Sequence, residues 1–198
     1  MRDFTVKIRE FTLEYFDDEH LYLVDGLIVP SITQILKIKF GGKYEGIGSA
    51  TLQRAAEAGT AVHEAIEAFC MRGEESDLPE VRNFKFLQKQ YGFDVLDCEV
   101  PVLLFDGNDP IAAGRLDLMI RQDINLGIAD IKRTSALDKD YLAYQLNLYR
   151  IAYQQSYGIE VQTLHGIHLR EDVRKFVQIP VNEAIAYKLI MDWRAAHE

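Results

Sequence analysis

FDVLDCEVPVLLFDGNDPIAAGRLDLMIRQDINLGIADIKR occupies residues 93–133 and is cut twice by turn chemistry. Phe93 to Phe105 is rich in Val, Leu and Phe, Asp106-Gly107-Asn108-Asp109 turns it, and Ile111 to Arg121 returns. A second short turn near Asp123 to Asn125 leads into Asn125 to Arg133, a third strand. Three long strands in succession imply an antiparallel hairpin core.

Upstream, the pattern predicts a helix from Pro79 to about Tyr91, with Pro79 in its first turn and Gly92 closing it. Before that, Leu52, Ala55, Ala56, Val62, Ile66 and Phe69 recur at three- and four-residue spacings, so Ala50 to Met71 is expected to be helix-rich. Gly59-Thr60 is expected to interrupt it, as a kink or as a break with Thr60 capping a second piece. At the N-terminus, Phe11 to Phe16, Leu21 to Val24 and Leu27 to Val29 read as a small meander with Asp25-Gly26 as a hairpin turn. Pro30 ends it. Ser31 with Gln34 fits a capping box opening a short helix through about Lys37, and the glycines at 41, 42, 46 and 48 predict a loop. Downstream, Ser135 and Asp138 cap a helix continuing to about Tyr157 and closed by Gly158. Strands near 162–169 and 175–179 follow, then a last helix over about 182–196. No internal repeat or low-complexity tract is present. The expectation is an α/β (α+β) domain over residues 1–198, with a strand-rich appendage over about residues 1–40.

The 198 residues are 48% hydrophobic and 27% charged, an ordinary globular composition that excludes a largely disordered or collagen-like chain. No segment approaches the ~18 continuous apolar residues of a membrane helix, and Met1-Arg2-Asp3-Phe4 lacks the apolar core of a signal peptide, so a cytoplasmic protein with no membrane partner is expected. The two cysteines, Cys70 and Cys98, are too few for a disulfide framework or a four-thiolate zinc or iron–sulfur site. A formal charge of −9 argues against a passive coat for nucleic acid. It does not exclude an enzyme acting on nucleic acid, because carboxylates that hold a divalent cation count as negative until the cation binds.

Alternate side chains of a strand share a face, so Asp130 and Lys132 emerge together while Ala129 and Ile131 enter apolar packing. Asp117 lies on the preceding strand, where it can approach Asp130. Two converging carboxylates repel unless a cation sits between them, and hard oxygen ligands favour Mg²⁺ or Mn²⁺. A lysine beside them could orient an attacking water or stabilise charge on a phosphate. The bland alternative for Asp130 and Lys132 is a same-face salt bridge. His63 and Glu67 sit one turn apart on the upstream helix and project from one face, where His63 is either a third ligand or a solvent-facing or satisfied ring. Gln145 and Tyr149 are likewise one turn apart, with core packing as the alternative for Tyr149.

In this order the residues resemble the PD-(D/E)XK nuclease superfamily, in its RecB-like, phage-type exonuclease branch. That branch carries Gly-x-x-x-His on a helix, here Gly59 to His63, then Gly-x-x-Asp on a strand, here Gly114 to Asp117. Asp-x-Lys on the next strand is Asp130 to Lys132, and Gln-x-x-x-Tyr on a following helix is Gln145 to Tyr149. These motifs span roughly the middle half of the chain. The segment from Val29 to Leu36 also resembles the opening of stand-alone phage or prophage nucleases. The four cysteines of the branch's iron–sulfur members are missing, so no iron–sulfur cluster is expected, and no helicase motif accompanies the nuclease.

The resemblance implies a restriction-endonuclease-like core, a central mixed sheet flanked by helices, acting on DNA. It implies Mg²⁺ or Mn²⁺ on His63, Asp117, Asp130 and the backbone carbonyl of Ile131, with Asp117, Asp130 and Lys132 catalytic. Lys132 would position or help deprotonate the attacking water. Gln145 and Tyr149 would line the site and contact the DNA backbone or order Lys132, and Glu67, more than Glu64, would give outer support or serve a second metal. Arg115 and Arg133 flank the acids and contact phosphates or only solvent. The expected activity is an exodeoxyribonuclease of recombination or repair, with a single-strand annealing or other recombination protein as partner. The rivals are a structure-specific or restriction-type endonuclease on the same fold and a non-cutting DNA- or protein-binding module.

Overall fold

The computed structural model describes residues 3–42 and 48–197. Its centre is the hairpin core of the sequence, as β5 (Phe93–Asp106), β6 (Asp109–Gln122) and β7 (Asn125–Lys132) pair antiparallel in succession. From β7 the chain crosses through α5 (Lys139–Tyr157) to β8 (Thr163–Leu169), which pairs parallel to β7, and β9 (Arg174–Ile179) adds antiparallel to β8. The result is a mixed five-stranded sheet in the order β5-β6-β7-β8-β9, flanked by helices. Asp138 caps α5 by accepting from the Tyr141 amide at 2.9 Å, and Gly158 ends it in the left-handed conformation.

The two faces of β7 and β8 set the two cores. Ile128 and Leu164 face α5, where Leu142 and Leu146 cover them. Ala129, Ile131, Ile167 and Leu169 face the other way, under α3 (Ser49–Arg72) and α4 (Pro79–Tyr91), against Val62, Ile66, Val81 and Phe84. The alternation expected for Ala129 and Ile131 is therefore met. β5 is an edge strand, and such an edge invites pairing with another chain. The last turn of α5 closes it: Gln155 and Ser156 each donate to and accept from the backbone of Phe105 and Leu103, and Tyr157 donates to the Pro101 carbonyl at 2.6 Å.

The N-terminal meander has four strands, β1 (Phe4–Ile8), β2 (Phe11–Phe16), β3 (Leu21–Val24) and β4 (Leu27–Val29). β1 is an addition to the sequence analysis. Phe4, Val6 and Ile8 do alternate with Thr5 and Lys7, and Phe4 stacks on Tyr15 at 5.4 Å. Asp25 and Gly26 both have positive φ, the backbone a two-residue hairpin turn requires. Ile8, Leu13, Tyr15, Tyr22 and Val24 pack on Leu103, Phe105 and Ala113, so the meander shares a core with β5 and β6.

The Ser31 capping box forms, with Ser31 Oγ accepting from the Gln34 amide at 3.2 Å and Gln34 Oε1 accepting from the Ser31 amide at 2.9 Å. It opens α1 (Ile32–Ile35), followed by α2 (Lys37–Phe40). The loop expected around the glycines at 41–48 lies largely outside the described residues. Gly59-Thr60 interrupts nothing: α3 is one helix from Ser49 to Arg72. A glycine in a helix interior costs only about 1 kcal/mol, less than the docking of Val62 and Ile66 supplies. α6 (Glu183–Ala195) closes the chain, packing Ala186, Leu189 and Ile190 beside α5. No helix among the described residues is long and apolar enough to cross a membrane.

Candidate metal centre

β6 and β7 stop pairing at Leu118 and Ala129, one residue short of Asp117 and Asp130. The Asp117 carboxylate takes over where the ladder ends, with Oδ2 accepting from the Ile131 amide at 2.7 Å. The strands part here, and side chains from three elements enter the gap. His63 comes from α3, its Nε2 donating to the Ile131 carbonyl at 3.1 Å. Its Nδ1 lies 3.7 Å from Asp117 Oδ2 and 3.8 Å from Glu99 Oε1. One ligand atom each of His63, Glu99 and Asp117 lie within 4.8 Å of one another, close enough to share a cation.

Burial alone would depress the His63 imidazole, but the carboxylates of Asp117 and Glu99 outweigh it and push its pKa up to about 9. Without a cation the ring is therefore a proton-bearing counter-ion to the two carboxylates. A cation on this site must displace that proton.

Glu99 is absent from the residues singled out in the sequence. β5 offers Asp94, Asp97, Glu99 and Asp106 with nothing to rank them. Counting back from the Gly107-Asn108 turn, with Asp106 opposite Asp109, sets Cys98 across from Asp117. A register shift between Leu104 and Phe105 moves the pairing by one residue, so that Cys98 faces Leu118, Val100 faces Leu116, and Glu99 comes to Asp117. Glu99 adopts φ +52, an unfavourable backbone for a non-glycine residue. Arg115 holds it there, Nε lying 2.7 Å from Glu99 Oε2. The Arg115 guanidinium in turn sits over the rings of Tyr15 at 5.0 Å and Phe4 at 5.9 Å, so the N-terminal meander braces the site.

Asp130 and Lys132 lie beside this group on the same strand face. Lys132 Nζ is 2.5 Å from Asp130 Oδ2, and the Asp130 side chain is 4% exposed. Burial raises the Asp130 carboxyl to about 6, against the lowering effect of Lys132. Burial would lower Lys132, but Asp130 and Asp117 more than offset it, so the ammonium stays charged. The shared face expected from sequence is present, and so is the salt bridge that was its bland alternative, while a cationic Lys132 is suited to orienting a group or stabilising charge.

The remaining residues separate. Tyr149 and Gln145 are buried on α5, and Gln145 Oε1 has no hydrogen-bond partner among the described residues. Burial, reinforced by Tyr22, Asp117 and Asp130, raises Tyr149 well above its usual pKa, which places the ring within reach of the site's charge although it packs in the core. Glu67 is half-buried one turn past His63, where its charge acts on the Cys98 thiol rather than joining the three-residue group. Glu64 is exposed. Arg133 is paired with the buried Glu80, Nε to Oε1 2.8 Å.

No protein-family model and no curated protein matches the chain. Among solved structures, the crystal structure of SSO0001 aligns with 85% of this chain and 75% of that one, with a TM-score of 0.50 at 16% sequence identity. Similarity at that identity is one of fold, a helix-flanked mixed sheet, and carries no activity with it.

Proposed function

We propose that the protein is a metal-dependent deoxyribonuclease that hydrolyses DNA phosphodiester bonds, working as an exonuclease in recombination or repair. The observation that carries this reading is the convergence of His63, Glu99 and Asp117 where β6 and β7 part, directly beside the Asp130–Lys132 pair. Two carboxylates and an imidazole, with the Ile131 carbonyl alongside, are a donor set that fits Mn²⁺ or Mg²⁺. Asp130 lies beside this group and would offer the cation a further carboxylate.

Such a cation supplies Lewis-acid polarisation of phosphate oxygens and lowers the pKa of an attacking water. The chain's own groups do the rest. Asp130 keeps Lys132 charged and aimed, and the Lys132 ammonium orients the nucleophile and meets negative charge developing on the phosphate. Arg115 fixes the Glu99 carboxylate.

The test compares linear with covalently closed circular DNA in Mg²⁺, in Mn²⁺ and in EDTA. Linear DNA is expected to be degraded from its ends, circular DNA to be spared, and EDTA to stop the reaction. Cleavage of the circle would make the enzyme an endonuclease on the same site. DNA binding without cleavage in either cation would sink the nuclease reading.

A further inference from the structure

β8 runs parallel to β7 with Gly166 opposite Asp130 and His168 opposite Lys132, the last residue of β7. Alternate residues of a strand share a face, and Ile128 and Leu164 face α5, so Asp130, Lys132 and His168 do too. Gly166 has no side chain, and Leu142 of α5 fills the space: a Cβ there would lie 2.8 Å from Leu142 Cδ1. One step further along the same face, beside Lys132, the neighbour is the imidazole of His168, 3% exposed. Its Nε2 donates to the Thr134 carbonyl at 2.7 Å. A carbonyl only accepts, so the proton sits on Nε2. The other ring nitrogen, Nδ1, is buried with no hydrogen-bond partner among the described residues. An apolar side chain would fill this place without leaving a polar atom bare, so what the imidazole adds is the bond to Thr134.

We propose that His168 is a positioning residue for Lys132, holding the chain beyond the end of β7 through the Nε2 bond to Thr134 so that the Lys132 ammonium stays aimed at the metal centre. Its part in turnover rests on the nuclease reading; its anchoring of Lys132 does not. The pairing of β7 with β8 runs to Lys132 and no further, so Lys132 stands where the ladder stops. Thr134 is two residues on, and there the side chain of His168 takes over from the backbone of β8. Thr134 Oγ1 donates in turn to the Ala136 carbonyl at 2.7 Å, which turns the chain toward Asp138 and the start of α5.

Lys132 is thereby fixed at both ends. Its ammonium lies 2.5 Å from Asp130 Oδ2, and its backbone is pinned on one side by the ladder and on the other by His168. The flexible four-carbon stem between those points has rotamers to regain, so a strand end that frays lets the ammonium swing. The three clustered ligands do not depend on that end, because His63, Glu99 and Asp117 come from α3, β5 and β6. Loss of the His168 bond therefore moves Lys132 and leaves cation affinity as it was.

The test replaces His168 in three ways and measures kcat and KM on linear DNA, normalised to the folded fraction by circular dichroism, with Mn²⁺ affinity from titration calorimetry. His168→Phe keeps a ring and loses the donor; its kcat is expected to fall about 10- to 100-fold, the scale of a roughly 1 Å misplacement, with KM and Mn²⁺ affinity unchanged. His168→Gln carries an amide nitrogen that reaches Thr134 and should recover most of the rate, whereas His168→Asn, one carbon shorter, should not. Packing alone predicts the reverse order, with Phe the most active, and that order overturns the proposal. A fall in Mn²⁺ affinity in His168→Phe would place His168 behind the metal ligands and overturn it as well. Combined with Lys132→Ala, His168→Phe should slow cleavage no further, since residues that act as one unit are not additive. Losses that multiply rule out action through Lys132. A parent protein that cuts no DNA sinks the nuclease reading, and urea unfolding of the parent, the two single variants and the double variant then decides the anchoring, which additive shifts of the midpoint overturn.

Discussion

Gly114 has no room for a side chain: a Cβ there would lie 2.9 Å from Tyr149 Cε1 and 3.1 Å from Ile32 Cδ1. The glycine three residues before Asp117 is a space into which the Tyr149 ring fits, and it carries the register of β6 past α5. Gly114→Ala is expected to cost about 1–3 kcal/mol in a urea melt, the usual penalty for overpacking. Combined with Tyr149→Val it should cost less than the two changes added. Additive costs would mean that the ring is not what the glycine accommodates. Lys132 differs in kind, since it touches Asp130 but is not one of the three clustered ligands. Lys132→Ala is expected to leave Mn²⁺ affinity nearly intact and to slow cleavage by a factor of about 100, the loss seen when one well-placed electrostatic group is removed. Asp117→Ala should lose both, and equal loss of affinity in the two variants would contradict this division of labour.

At the scale of the element, α3 does two things at once. Its first half is open to solvent at Gln53, Arg54, Ala55, Ala56 and Glu57, and its second half docks Val62 and Ile66 and presents His63. The helix is held from one end, and Gly59 is simply spanned. A Cβ at Gly59 would meet nothing within 4 Å. Gly59→Ala should therefore stabilise the fold by about 1 kcal/mol, read as a higher melting temperature. A lower one would show that the helix needs glycine there for a reason other than space. The strands were legible because their turns are written in sequence: Asp25-Gly26 and the Gly107-Asn108 pair each mark where a hairpin reverses. Glu99 was not, because the register shift at Leu104 and Phe105 has no residue signature of its own and still moves the pairings from Leu104 back to Asp97 by one.

At the scale of the whole molecule, the site concentrates charge that folding must tolerate. Asp117 and Glu99 face one imidazole, and a cation that binds the folded chain alone stabilises it by mass action. Mn²⁺ at a hundredfold excess over its Kd should add about 3 kcal/mol, seen as a rise in melting temperature that EDTA cancels. No shift at millimolar Mn²⁺ would mean that the cluster is not a metal site. Acid acts elsewhere as well. His165 is buried against Phe176, ring centroids 4.4 Å apart, with neither ring nitrogen hydrogen-bonded among the described residues, and burial lowers its pKa to about 4 from 6.5. The unfolded chain takes up that proton first, so the stability due to neutral His165 is present above pH 6.5 and is lost as pH falls toward 4. Asp130, raised from 3.8 to about 6, works in the opposite sense over much of the same window. Comparison with His165→Phe isolates the histidine: the variant should lose less stability than the parent between pH 6.5 and 4, and parallel curves would rule His165 out as the cause.

The sequence by itself determined the hairpin core, the crossover helix with its Asp138 and Gly158 ends, and the joint orientation of Asp130 and Lys132. Each follows from local rules: alternation on a strand, caps and turn residues, which act over a few positions and leave a residue pattern. It also singled out His63 and Asp117, because a histidine on a helix face and an acid on a strand stand out from apolar neighbours. Only the tertiary structure decided which acid joins them, and that Arg115 belongs to the site through Glu99 and the aromatic rings of the N-terminal meander. Those contacts join residues far apart in the chain, and their geometry depends on where β6 and β7 part and where β5 slips by one residue, which a string of residue types does not record.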